Sequence, residues 1–339
     1  MFKIFKAVTL LTLILTLVSG ALAQGESRLD MVKERGHLIC GVHNAKPGFG
    51  GLNEQGVYAG FDTDFCRAVA AAIFDDPTKV EFVPLTSSTR FTAIQSGEVD
   101  VVFRSTTRTS TRDAGADFGP VNFYDGQGVM VRADLPVEAI TDLEGAVICT
   151  AQGSTSEQNI TDYMRARDVP FELVTYQDFD RVMSAFEEGR CDAFTSDRSV
   201  LVSRKATSSD PSEYRILPET ISKEPLAPFV AQNDSVWLDA ISWIVFATIN
   251  AEELGITQEN VGSFADTDNP KIRRFLGLEG DTGERLGLAP DFAARVIRAE
   301  GNYGEIYNRH LGPDTAFDLP RGINSLYTEG GLMYSPPFR

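Results

Sequence analysis

The chain has 339 residues, with 48 Asp plus Glu against 31 Lys plus Arg, so its formal charge at pH 7 is -17. Acidity on that scale argues against nucleic acid as a partner, because nucleic acid is held by basic surfaces. At roughly 150 residues per domain, the length fits two domains, each able to bury a core of its own.

The first segment reads as a targeting pattern. Lys3 and Lys6 precede a 12-residue apolar run from Ala7 to Val18, and Ala21-Leu22-Ala23 places small residues before Gln24. Twelve residues fall short of the roughly 20 that cross a bilayer, so residues 1–23 are expected to be a cleaved signal peptide, the alternative being an anchoring helix that stays attached. Cleavage there removes two lysines and no acid, leaving the exported chain more acidic by two charges. Four cysteines remain, Cys40, Cys66, Cys149 and Cys191. In an exported chain they suggest two disulfides in one of three connectivities, against four buried thiols. There is no C-x-x-C, and His37, His43 and His310 are scattered, so zinc is not expected and no other metal or cofactor is called for.

Downstream, apolar strands alternate with amphipathic helices, the pattern of an α/β protein. Leu38 to Val42 reads as a strand. After a turn at Gly56 and Gly60, Phe61, Phe65, Val69 and Ile73 recur every four residues on one helical face, with Asp62 or Thr63 available as N-cap. Asp75-Asp76-Pro77 ends that helix and Lys79 to Leu85 returns as a strand. Phe91 to Ser96 is a short helix stopped by Gly97, and Val99 to Phe103 is the next strand. Laying Gly97 on Gly189 aligns Ile94 to Val102 with Phe186 to Phe194: a helix end, a glycine cap, then an Asp-bearing buried strand. The echo points to two lobes of one architecture, unless it is only common α/β grammar. Ser105 and Asp197 then sit at equivalent places, five residues past each strand Asp, where open parallel sheets bind ligands. Val147 to Cys149 leads through Gln152-Gly153 into Ser154 and Glu157, which have capping-box spacing. Tyr124 to Val131 leaves the first lobe and Leu226 to Gln232 returns to it. A helix from about Ser235 to Glu253 and a Gly-rich segment wrapping the first lobe follow. The tip, Ser335 to Arg339, carries no pattern that assigns it a role.

Three places could carry chemistry. The run Arg104 to Arg112, after an apolar strand, combines hydroxyls with guanidinium forks that match a carboxylate bidentately. Gly153-Ser154-Thr155 offers the free N–H groups of a helix start, a second anion contact. Asp197 suits an ammonium group. Singly, each has a plainer use as a solvated loop, an ordinary Ser-capped helix or an exposed turn. Converging, they would read an α-amino acid by both of its charges.

The stretch Gly56 to Phe65 resembles the G-x-y-x-G-F-D-x-D signature of periplasmic amino-acid-binding proteins of ABC importers, solute-binding protein family 3. Thr107 to Asp113 is similar to that family's S/T-x-T-x-x-R loop and Asp117 to Tyr124 to its D-F-S-x-P-Y-Y run. Gln152 to Thr155 and Asp192 to Asp197 match two further blocks, in the right order over roughly residues 36 to 250. Asp64 to Ala72, Arg90 to Ala93, Ser96 to Asp100, Tyr124 to Gly128 and the long C-terminal segment look closest to the general L-amino-acid-binding subfamily.

The resemblance implies a type II periplasmic-binding-protein fold, two Rossmann-like lobes joined by two hinge strands. Lobe 1 would comprise residues 24–127 plus 232–339, and lobe 2 residues 128–231. Arg112 and the Thr155 backbone, with Ser154 beside it, would hold a substrate carboxylate. Asp197, Thr107 and the carbonyl of Ser105 would hold the ammonium. Two positions depart from the pattern. His43 and Lys46 stand where relatives selective for cationic amino acids carry an acid and an aromatic, so lysine or arginine selectivity is not expected. Arg104, often a small residue in relatives, would line the cleft and favour polar or acidic side chains, unless it faces solvent or pairs with an Asp. The same fold pairs Cys40 with Cys66 and Cys149 with Cys191, one crosslink per lobe. The implied function is a monomeric periplasmic receptor that captures free L-amino acids and delivers them to a membrane permease. The alternative on this fold, a cyclohexadienyl or arogenate dehydratase, needs an acidic Glu in the cleft. Only Glu157 lies in the matched loops, and its capping role already explains it, so an enzyme is not expected.

Overall fold

The computed structural model describes residues 27–339; the expected signal peptide, residues 1–23, lies outside the described residues. Helix α1 (Arg28–Arg35) leads into β1 (Leu38–His43) and a small hairpin, β2 (Ala45–Lys46) and β3 (Gly50–Gly51). Helix α2 (Phe61–Phe74) follows. Its N-cap is Gly60, not Asp62 or Thr63; both of those side chains lie inside the first turn and are buried. Next come β4 (Val80–Leu85), α3 (Arg90–Ser96), β5 (Val101–Val102), α4 (Ser110–Asp113) and β6 (Asp117–Phe118).

The crossing strand β7 (Phe123–Asp125) carries the chain to a second sheet. There β8 (Gln127–Arg132), β9 (Val147–Ala151), α5 (Thr155–Arg165), β10 (Glu172–Tyr176) and α6 (Phe179–Glu187) precede β11 (Ala193–Asp197), α7 (Arg198–Ala206) and β12 (Tyr214–Ile216). Strand β13 (Glu224–Leu226) crosses back, pairing antiparallel with β7, and β14 (Phe229–Val230) rejoins the first sheet before α8 (Ser235–Glu253). Helices α9 (Pro270–Phe275), α10 (Thr282–Arg285), α11 (Phe292–Glu300) and α12 (Tyr303–Leu311) complete the chain. Among the described residues no helix is long and apolar enough to cross a membrane.

The sheets run in the orders β4-β1-β5-β14-β6 and β10-β9-β11-β8-β12. In each, three parallel strands are followed by an antiparallel fourth. The internal echo is therefore architectural. Gly97 and Gly189 both adopt positive φ, at 76° and 72°, where a side chain would be strained. Three residues on, Asp100 N–H donates to Ile39 O while its carboxylate accepts from Ile39 N at 2.7 Å; Asp192 makes the same pair of bonds with Val147, the second at 2.8 Å. Sheet membership departs slightly from the expected lobe limits. Gln127 opens a strand of the second sheet, and Phe229–Val230 belong to the first.

The larger core lies under the first sheet, where α2, α8 and α11 pack. The Phe61 ring meets Phe49, Phe65, Phe123, Tyr303 and Tyr307 edge-on, an arrangement aromatic quadrupoles favour. The C-terminal segment does wrap this lobe: Phe338, near the tip, is buried and packs 5.0 Å from the Trp243 ring. Cys40–Cys66 ties β1 to α2, and Cys149–Cys191 ties β9 to the approach to β11, so each crosslink stays on its own sheet.

Candidate functional site

Residues just past the carboxyl ends of β1, β5, β9 and β11 face one another and enclose a cavity of about 20 Å³ between the two sheets, the position where open α/β sheets hold ligands. Such a space admits little more than a water in this arrangement. On its wall the first sheet places His43, Arg104, Ser105 and Thr107; the second places Ser154, Thr155 and Asp197. Arg112 is absent from the wall. Its Nη1 donates to Thr107 O at 2.9 Å and its Nη2 to Gly153 O at 3.3 Å, so the fork spans the gap between the two loops.

Local structure explains several of these placements. Ser105 adopts a positive φ of 42° on leaving β5, a strained conformation for a residue with a side chain, and its Oγ donates to Asp62 Oδ2 at 2.8 Å. Arg104 turns inward, its Nε donating to Leu85 O at 2.7 Å. The capping box expected at Ser154 does not form. Ser154 is the N-cap of α5 but makes no cap bond, and Glu157 accepts from Gly153 N instead. The Ser154 hydroxyl is thereby left for the cavity.

Sequence reasoning missed other wall residues, notably Arg90, Ser156, Phe179 and Ser196. Arg90 lies in the matched block Arg90 to Ala93, one residue before the expected helix start at Phe91, and opens α3 in the structure. It also missed Glu224 on β13, which is buried and accepts from both Thr107 Oγ1 and Thr155 Oγ1, the latter at 2.9 Å, as well as from Asn159 Nδ2 at 2.7 Å and Ser222 Oγ at 2.5 Å. No local pattern marks it, because three of its four partners are 65 to 117 residues away and only Ser222 is near in sequence. Glu224 is thus a buried carboxylate close to the cleft that the count of matched loops overlooked. It is not on the wall, and four donors occupy its oxygens, so it does not supply the dehydratase acid.

The cleft brings buried acids and bases together. Burial raises Asp62 to about 6 despite the nearby Lys46. Burial also raises Asp125, and it lifts Asp197 well above the usual range, with Asp125 and Glu224 adding to the effect. Burial lowers Arg104 to about 9 and also holds Arg90 well below the usual range. Burial, then Arg104 and Lys46, push His43 well down, so the imidazole is neutral. Three buried wall atoms, His43 Nδ1, Arg90 Nε and Ser154 Oγ, have no hydrogen-bond partner among the described residues. Leaving such groups unmade costs about 1–3 kcal/mol each. Donors from both lobes and the Asp197 carboxylate on the same wall can hold a small zwitterion by both charges.

Residues 38–260 match the bacterial extracellular solute-binding proteins, family 3. The General L-amino acid-binding periplasmic protein AapJ of Rhizobium johnstonii is 47% identical over 327 residues, covering 95% of this chain and 96% of that protein. The Glutamate/glutamine/aspartate/asparagine-binding protein BztA of Rhodobacter capsulatus is 48% identical over 326 residues, with 95% and 96% covered. A solved ABC transporter periplasmic binding protein from Brucella ovis with glutathione bound is 44% identical and superposes with a TM-score of 0.90 over 93% of this chain and 100% of its own. These similarities continue past residue 260 into the C-terminal segment. The chain belongs to the bacterial extracellular solute-binding proteins, family 3.

Proposed function

We propose that the protein is a periplasmic receptor, exported by cleavage of residues 1–23, that closes its lobes on a free L-amino acid and delivers it as a monomer to an ABC permease. The lobes would be close to the expected 24–127 plus 232–339 and 128–231, shifted so that Gln127 joins the second and Phe229–Val230 the first, changing over near the β7–β13 pair. The observation that carries the reading is the trio of unpartnered wall atoms, drawn from both lobes. A ligand that satisfies them at once stabilises the closed form, and differential affinity for that form drives closure. Arg112 and the α5 start around Ser154 and Thr155 would take the carboxylate; Asp197, Thr107 and the Ser105 carbonyl would take the ammonium. Arg104 and His43 would face the ligand side chain and favour polar or acidic ones. The relatives most similar over the whole chain are solute-binding proteins, and the dehydratase alternative has only a distant structural neighbour behind it.

Calorimetry with the common L-amino acids and with glutathione, whose γ-glutamyl end carries the same charged pair, tests the reading. Binding tighter than millimolar, or about 4 kcal/mol, is expected for at least one polar or acidic amino acid. A panel with none would overturn it.

A further inference from the structure

Outside the cleft a second cavity, of about 510 Å³, opens on the first lobe between the β2–β3 hairpin, the approach to α2 and the end of α12. It shares no lining residue with the cleft. Its volume lies within the roughly 300–1,000 Å³ of small-molecule sites. The hairpin side of it is held in place: Gly48 O accepts from Phe61 N at 2.9 Å, and Ser203 Oγ donates to Pro47 O at 2.8 Å.

The chemistry of the lining is one-sided. Pro47, Leu52 and Phe317 give it apolar surface, and Asn44, Arg309 and His310 give it polar groups. Among the described residues that line it there is no Asp or Glu, in a chain whose formal charge is -17. Asp314 and Asp318, from the same segment as Phe317, are exposed and outside the lining.

A single carboxylate fixes Arg309 and His310 from behind. Asp64 Oδ2 accepts from Arg309 Nε at 3.1 Å and Nη2 at 2.7 Å and meets His310 Nε2 at 2.6 Å, while Arg67 Nη1 donates to Asp64 Oδ1 at 2.9 Å. Burial works against its charge, but His310, Arg309 and Arg67 hold the Asp64 carboxyl below the usual carboxylate range. Glu300, the other acid of this cluster, is pushed up to about 8 by burial and then by Asp64, so at neutral pH it is mostly protonated. One ionised carboxylate therefore stands against two guanidinium groups, and the cluster keeps a positive charge unbalanced. Arg309 Nη1 and His310 Nδ1 have no hydrogen-bond partner among the described residues. Nitrogens of these two kinds, already oriented by Asp64, suit a carboxylate, and the apolar lining suits a hydrocarbon body behind it.

We propose that this cavity is a second ligand site, taking a small monocarboxylate with an apolar body, its head on Arg309 and His310 and its body against Leu52 and Phe317. The inference does not rest on the reading of the cleft as an amino-acid site, since such a ligand has no α-ammonium.

The test is calorimetry with 3-phenylpropionate, beside the neutral 3-phenylpropanamide and the cationic 3-phenylpropylamine, on wild type, Leu52→Glu and Arg309→Met, with circular dichroism checking that each variant is folded. Leu52 is 60% exposed, so Leu52→Glu sets an acid beside the site without entering the core, and it serves if the Arg309 variant, which loses the pair with Asp64, does not fold. Wild type is expected to bind the carboxylate with a Kd below about 1 mM and at least about tenfold tighter than either analogue, and each folded variant should bind it at least about tenfold more weakly. A wild type that does not bind it at millimolar concentration, an amide that binds as well as the acid, or unchanged affinity in Leu52→Glu overturns the proposal. Displacement of the probe by an amino acid that the protein binds would place it in the cleft and overturn the proposal too. A panel of amino acids that all fail to bind overturns the receptor reading and leaves this result standing.

Discussion

Asn324 completes the outer edge of the hinge strand at Tyr124: its Oδ1 accepts from Tyr124 N at 2.7 Å and its Nδ2 donates to Tyr124 O at 2.9 Å. A side-chain amide thus does what a neighbouring strand would do, opposite the edge where β13 pairs with β7. The amide is itself tethered. Arg321 Nε donates to Asn324 O at 2.9 Å and Arg321 Nη1 meets Glu252 Oε1 on α8 at 2.9 Å. The C-terminal segment therefore reaches a strand that crosses between the two sheets. Asn324→Ala leaves two backbone groups unpaired at a buried position, a cost of about 1–3 kcal/mol each where water cannot replace the bond. Urea denaturation should show a lower midpoint with an unchanged slope. An unshifted midpoint would remove the amide from the account of the hinge.

Glu300, at the end of α11, gives the fold a pH dependence of definite sign. Burial first, and then the charge of Asp64, push its carboxyl up to about 8 against the pull of Arg309. Between its ordinary value of 4.5 and about 8 the folded chain keeps a proton that the unfolded chain has lost. The stabilisation is complete below the lower value and disappears as pH rises through the upper one. Glu300→Gln resembles the protonated form at every pH. The difference in melting temperature between variant and wild type should move in the variant's favour from pH 5 to pH 8.5. A difference that stays constant over that range would show that Glu300 keeps its ordinary titration.

Much of this architecture is legible in the sequence where a local rule decides it. Gly97 and Gly189 stand out because each ends a helix with positive φ, and the Asp three residues on repeats the same backbone bonds in both sheets. Ser105 and Asp197 follow from strand ends alone. The capping box at Ser154 misleads because spacing permits a bond that the buried hydroxyl does not make. Lys46 shows only as a departure from a pattern, since a two-residue strand has no periodicity to say which way it points. Glu224 has no signal at all: a polar residue in a three-residue crossing strand becomes a hub only when β7 and β13 bring Thr107 and Thr155 together.

The disulfides should stiffen each lobe without restraining closure. Cys40–Cys66 and Cys149–Cys191 span 26 and 42 residues and cross no boundary between the sheets. Loop entropy alone assigns each about 3.5–4 kcal/mol. The double serine variants Cys40→Ser with Cys66→Ser, and Cys149→Ser with Cys191→Ser, are expected to melt lower while ligand affinity at 25 °C stays within a few-fold. A large loss of affinity in a variant still folded at that temperature would mean the crosslink shapes the cleft itself.

Two guanidinium groups are candidates for the proposed ligand's carboxylate. The family motif points to Arg112, whose fork is spent on the carbonyls of Thr107 and Gly153, the second at a long 3.3 Å. Arg90 stands on the wall with its Nε unpartnered, although Nη1 donates to Thr106 Oγ1 at 3.1 Å. A carboxylate is a far better acceptor for a guanidinium than a carbonyl at the limit of hydrogen bonding, so an arriving ligand should draw the Arg112 fork from Gly153. Removing one partner of a buried charge pair costs about 2–5 kcal/mol, so Arg112→Ala should weaken binding about 30-fold to several thousandfold. Arg112→Lys should recover only part of the loss, because an ammonium keeps the charge and loses the fork. Calorimetry of both variants beside Arg90→Ala assigns the contact. Unchanged affinity in Arg112→Ala, with the loss appearing in Arg90→Ala, would move the carboxylate to the wall arginine and leave Arg112 as a link between the lobes.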